Sequence, residues 1–183
     1  MIRHSHRMHA AIVAYLLITL LPGLRGVSKA IDYTSWGAEK AHYITRNFSP
    51  ETRYCEFTPA SNPGYKNKIM SYIIALSDKF RDSISIVRTK TNPERDFLFV
   101  KNRLYSISEI YESLTDEKAQ AIIQSLTASF GAPVVEKGAS YTQYSYATAK
   151  TRVMARIFRR EHRTECKIYY YRADIFKRLM VGE

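Results

Sequence analysis

Apolar residues are spaced in three ways along this chain, and each spacing predicts a different element. Near the N-terminus they run on from Ala10 to Leu24, behind Arg3 and Arg7 and ahead of Ser28-Lys29-Ala30. A basic leader, an apolar stretch and small residues at the third and first positions before a cut form the layout of a secretory signal peptide, here cleaved ahead of Ile31. An uncleaved anchor is the alternative. It suits the sequence less well, because the run is only 15 residues long and is interrupted by Pro22, whereas a spanning helix needs about 20 residues. No cysteine lies near the cut to carry a lipid.

The second spacing is helical. Ile69, Tyr72, Ile73, Leu76 and Phe80 recur at intervals of three and four and predict a helix over Lys66 to Phe80. A buried strand through Tyr72 to Leu76 is the competing reading, since tyrosine and adjacent isoleucines also suit a strand. A clearer helix follows Thr115, a capping residue with Asp116 and Glu117 in the first turn. Ala119, Ile122, Ile123, Leu126 and Phe130 form its apolar stripe, and Gly131 and Pro133 end it.

The third spacing is alternation. Ile84 and Ile86 alternate with Ser85 and Val87, and a second run covers Phe97 to Val100. Lys101-Asn102 makes a tight turn, because Asn tolerates positive φ, and Leu104 to Tyr111 returns as a third strand. After a loop around Lys137-Gly138, one long strand is expected from Tyr141 to Arg160 and another from Thr164 to Arg172, with a short helix over Asp174 to Met180. Between Ile31 and Phe57 the pattern is irregular, apart from a helix expected around Trp36 to Thr45. Thr58 to Gly64 is a loop by its proline and glycine content.

Strands, helix, strands, with helical material ahead of the first strand, predict an α+β fold. The expected form is two-layer, a mainly antiparallel sheet built from hairpins with helices packed on one face. The domain plan is a signal peptide over 1–30, an N-terminal segment without an assigned structure over 31–64, and a single α+β domain over 65–183. The two hairpins that flank the central helix hint at a weak duplication. A hairpin, a helix closing in Phe130-Gly131-Ala132-Pro133 and a second hairpin are similar to the layout of small exported bacterial proteins. That resemblance covers half the chain and implies no activity, because a helix stop has a purely structural cause.

Composition adds an address and a sign. Loss of Arg3, Arg7, Arg25 and Lys29 with the signal peptide leaves 24 of the 28 basic residues against all 17 acidic ones, so the exported part stays basic. In an oxidising compartment Cys55 and Cys166 are candidates for one disulfide, the alternative being that Cys166 is simply a small buried residue.

The C-terminal hairpin carries the strongest candidate surface. Val153, Ala155 and Ile157 point to one side while Arg152, Met154, Arg156, Phe158 and Arg160 point to the other. On the return strand Cys166, Ile168 and Tyr170 share the core side and leave Lys167, Tyr169 and Tyr171 opposite. Guanidinium groups pair with phosphate or carboxylate while tyrosine rings add stacking area. Arg152, Arg156, Arg160, Lys167, Tyr169 and Tyr171 are therefore the candidate binding residues, and a solvated face with arginine stems lying over apolar neighbours is the plain alternative. An exported chain does not routinely meet nucleic acid, so an anionic macromolecule or an envelope protein is the expected partner.

Catalytic motifs are absent from the sequence. His42 and His162 are far apart in the chain and have no metal-ligand spacing, and no phosphate loop, serine elbow or calcium loop is present. A Cys166-His162 pair would place the histidine in a turn and the thiol on the core side. Asp78 with Asp82, and Glu109 with Glu112, read as surface acids. The expectation is a non-enzymatic binding or envelope-assembly protein, monomeric or nearly so, without cofactor or metal and without a membrane span in its mature part. The alternatives are a small secreted hydrolase or thiol enzyme, and a carrier of a small apolar ligand.

Overall fold

Eight antiparallel strands form one sheet in the order β1-β2-β3-β4-β8-β7-β6-β5 in a computed structural model that describes residues 32, 35–76, 78–160 and 163–175. The expected signal peptide, His162 and all but the first residues of the C-terminal helix lie outside the described residues. In chain order the elements are α1 (Lys40–Asn47), β1 (Tyr54–Phe57), α2 (Lys68–Leu76), a 3₁₀ turn (Asp78–Ser83), β2 (Ile84–Thr89), β3 (Glu94–Val100), β4 (Arg103–Leu114), α3 (Asp116–Phe130), β5 (Val134–Lys137), β6 (Thr142–Ala147), β7 (Thr151–Arg160) and β8 (Arg163–Arg172).

The alternation read in the sequence divides the strands between two faces. Val87, Phe97, Phe99, Ile107, Val153, Ala155, Ile157, Cys166, Ile168 and Tyr170 share a buried cluster with Tyr43 of α1 and with Ala119, Ile123 and Leu126 of α3. Ile84, Ile86, Leu98 and Val100 point the other way and meet Ile69, Met70 and Ile73 of α2, Phe80 of the 3₁₀ turn and Ile175. The α+β class and the antiparallel sheet stand. The helices, however, occupy both faces: α1 and α3 lie on the first, and α2 lies on the second over β2–β4 only. Sequence periodicity identifies the apolar stripe of a helix but not which side of the sheet receives it.

The order of strands has a topological two-fold between β4 and β8. A helix and four antiparallel strands (α1, β1–β4) are followed by a helix and four antiparallel strands (α3, β5–β8), and the last strands of the two units pair at the centre. The units differ between their first two strands. The first unit inserts α2 and the 3₁₀ turn there, whereas the second closes a tight turn in which the Gly138 amide donates to the Tyr141 carbonyl at 2.9 Å.

Several expectations are corrected. Residues 35–57, left without an assigned structure apart from a helix around Trp36 to Thr45, supply α1 and β1 to the same core and sheet as the rest. The strand expected from Tyr141 to Arg160 is two strands, broken where Thr148 accepts from the Lys150 and Thr151 amides. Val134 to Lys137, unassigned in the sequence apart from the loop expected around Lys137-Gly138, form the edge strand β5. Cys55 and Cys166 are unbonded: Cys55 is exposed on β1 and Cys166 buried on β8. Four strand steps separate β1 from β8, about 19 Å at about 4.8 Å each, whereas a disulfide joins Cα atoms less than about 7 Å apart.

Candidate binding face

All six candidate binding residues lie on the second face, where Tyr169 and Tyr171 pack against the α2 cluster and Arg152 and Arg160 are exposed. Register places Arg152 beside Tyr171, Met154 beside Tyr169 and Arg156 beside Lys167, and cross-strand partners share a face. Their strand neighbours Val153, Ala155, Ile157, Cys166, Ile168 and Tyr170 are all buried on the first face. Apolar residues at alternate positions of β7 and β8 anchor the sheet to α3, and the basic and aromatic residues are turned outward as a consequence.

The adjoining strands complete the surface. Arg156 Nε donates to Gln143 Oε1 at 2.8 Å, and Gln143 Nε2 donates to Glu136 Oε2 at 3.0 Å. The Arg156 guanidinium lies 4.5 Å from the centre of the Tyr141 ring, a cation–π distance. Tyr141 in turn packs against Phe158, with ring centres 5.6 Å apart. Lys167 Nζ lies 5.6 Å from the Phe158 ring and 3.4 Å from Glu165. Arg156 and Lys167 are therefore half-buried and held in place, while Arg152 and Arg160 are exposed. Burial pushes the Tyr169 and Tyr171 hydroxyls above the usual phenol range, with Arg156 and Arg152 respectively acting in the opposite direction. Both phenols stay neutral donors at neutral pH.

The sequence reading missed Tyr141, Gln143, Arg163 and Glu165, which lie on the same face. Recognising the break at Thr148 would have exposed the alternation of β6 and brought in Gln143. Tyr72 on α2 has no such signal. It comes near Tyr171 only because α2 lies over β4.

Elsewhere the polar clusters tie strands together. Arg88 grips Asp96 with two hydrogen bonds of 2.7 and 3.0 Å, Tyr65 donates to the same carboxylate, and Phe57 and Tyr65 flank the guanidinium. Glu109 accepts from Arg95 Nε at 2.8 Å and from the Tyr111 and Tyr170 hydroxyls at 3.2 Å. It is buried rather than the surface acid expected. Asp78 is exposed beside Arg81. Cys166 is buried, and burial followed by the nearby Glu109 raises its thiol to about 12, the opposite of an activated nucleophile. Trp36, His42, Tyr43 and Arg46 line a cleft of about 270 Å³ beside α1. Among the described residues no group of histidine, cysteine, aspartate and glutamate could hold a metal ion, and no helix is long and apolar enough to cross a membrane.

The fold and this face together define a helix-backed open sheet with a basic, aromatic outer surface. No family model, curated protein or solved structure matches the chain.

Proposed function

We propose that this is an exported, non-enzymatic binding or envelope-assembly protein that engages an anionic macromolecular partner through the β6–β8 surface. The observation that carries this reading is the convergence of Arg152, Arg156, Arg160 and Lys167 with Tyr169 and Tyr171 on one sheet face. Such a surface pairs with carboxylates or phosphates through its guanidinium groups while its rings supply apolar contact area. Its cations are also pre-positioned: Arg156 is held by Gln143 and Tyr141, which lowers the side-chain entropy lost on binding. Export rests on the basic, apolar and small-residue succession over 1–30.

Charge reversal tests the reading. Arg152→Glu, Arg156→Glu and Arg160→Glu together are expected to abolish retention of the folded protein on immobilised polyglutamate. A control that reverses Arg46, Lys90 and Lys118, all exposed and away from the face, makes the same change in net charge and is expected to keep most of the retention. Equal losses in the two variants would reduce the face to ordinary surface charge.

A further inference from the structure

The outer edge of β5 is self-complementary, and we infer that two copies of this chain pair there, β5 against β5, about a two-fold axis. β5 closes one end of the strand order, so no described strand pairs with its outer side. Its Val134 and Val135 are 67% and 50% exposed, although valine is ordinarily among the more buried residues. Hydrogen-bond parity shows which backbone groups face outward. The Gly138 amide donates to the Tyr141 carbonyl at 2.9 Å, and on the other side of β6 the Thr148 amide donates to the Thr151 carbonyl at 2.8 Å. Opposed residues of an antiparallel ladder alternate between bonded and non-bonded pairs. In the β5–β6 register, Val134 and Glu136 therefore bond to Ser145 and Gln143, while Pro133, Val135 and Lys137 turn their backbone groups to the edge. An unpaired row of that kind is a template for another strand.

Charge and hydrogen bonding choose the register. Directly opposed residues share a face of the sheet, so the axis passes through a single residue position. An axis at Glu136 sets two carboxylates opposite each other, and an axis at Lys137 sets two ammonium groups opposite each other, both destabilising. With the axis at Val134, each Val135 amide meets a Pro133 carbonyl, and proline has no N–H to return the bond. An axis at Val135 avoids all three faults. The two Val135 residues exchange both of their bonds, and each Lys137 amide donates to the Pro133 carbonyl of the other copy. On the first face Val135 lies beside the partly buried Tyr144 of β6, so the axis brings two valine–tyrosine pairs together. On the second face Val134 meets Glu136 of the other copy without a charge clash. The fit of this edge to itself is what selects a second copy as the occupant. A contact built on so short a strand makes a weak dimer. The inference does not rest on the proposed binding role, whose residues lie on β7 and β8. The axis stands perpendicular to the sheet, so the basic faces of the two copies lie on the same side.

Sedimentation velocity of the purified full chain tests the pairing, from about 10 µM to about 1 mM, where an interface of this size associates. The wild-type chain is expected to pass from monomer to dimer across that range and to stop at dimer. Val135→Pro deletes an amide that β6 does not use and is expected to weaken association at least tenfold. If this variant fails to fold, Val135→Lys, which opposes two ammonium groups at the axis, serves in its place with the same expectation. Val134→Lys, set opposite Glu136 of the other copy, is expected to leave association unchanged within twofold. Monomer at every concentration would overturn the inference. So would association that the Val135 variants do not weaken, or equal weakening by the Val134 and Val135 variants. Growth beyond dimer would overturn the closed two-fold in favour of open-ended joining of β5 to β1. Retention on polyglutamate depends on Arg152, Arg156 and Arg160 rather than on β5, so the binding role and the pairing can each fail alone.

Discussion

At the scale of single residues, burial decides what the two thiols do. Cys166 sits under α3 among Ile157, Ile168 and Tyr111, whereas Cys55 lies open on an edge strand. Ellman's reagent is expected to titrate one thiol of the native protein rapidly and the second only after denaturation; two fast thiols would contradict the burial of Cys166. The raised thiol also fixes a pH dependence. Above the pKa of an unfolded cysteine, about 8.5, the unfolded chain loses a proton that the native state retains up to about pH 12, so stability falls with rising pH across that window. Tyr43, Tyr65 and Tyr111, also pushed up by burial, act in the same direction at higher pH. Urea midpoints at pH 8 and pH 10.5 are expected to show this decline, and Cys166→Ala to show a shallower one. The side on which Cys166 lies was legible from alternation with Ile168 and Tyr170. The partner of Glu109 was not, because Arg95 reaches it from another strand.

At the scale of elements, local signals were strong where residue types act on their own backbone. Thr115 caps α3 by accepting from the Lys118 amide, and Lys101 and Asn102 adopt positive φ at the β3–β4 turn, both as their sequence positions imply. Gly131 ends α3 at φ 87°, ψ −169°, a region that is essentially restricted to glycine. Gly131→Ala is expected to lower the unfolding free energy by about 1–3 kcal/mol, measured by urea denaturation. A change below about 0.5 kcal/mol would mean that the helix end relaxes freely. The failures have a common cause. β1 and β5 are four-residue edge strands whose side chains are largely exposed, so neither has the alternation that a half-buried strand displays. The break between β6 and β7 is a Thr148 hydrogen-bonding motif without glycine or proline, and turn composition did not reveal it.

For the molecule as a whole, the seam between the two units is the critical contact. β4 and β8 pair along most of their length, the Ser106 hydroxyl donates to the Tyr170 carbonyl at 2.9 Å, and buried Glu109 draws Arg95 of β3 and Tyr170 of β8 onto one carboxylate. The units share the first-face cluster as well, and Trp36 of the first donates to Thr151 of the second. They are expected to unfold together. Arg95→Ala leaves Glu109 buried without its cation and is expected to cost about 3–5 kcal/mol. Its unfolding should remain one transition, with Trp36 fluorescence and far-ultraviolet circular dichroism changing at the same denaturant concentration. Separate transitions would show that the seam does not couple the units.

Sequence alone determined the alternation of β2 to β4, β7 and β8, the start and stop of α3, the α+β class, and the grouping of Arg152, Arg156, Arg160, Lys167, Tyr169 and Tyr171 on one side of a hairpin. Each of these is local: strand period two and helix period 3.6 fix which side chains share a face, and capping acts within one turn. The tertiary structure decided which face each helix covers, the joining of β4 to β8, the inclusion of α1 and β1 in the core, and the separation of Cys55 from Cys166. Those outcomes depend on contacts between residues distant in the chain, and period and composition hold no record of which distant partners meet. The candidate surface shows both halves of the division, since its residues were legible from alternation while the packing of Tyr169 and Tyr171 against the α2 cluster follows from where α2 docks.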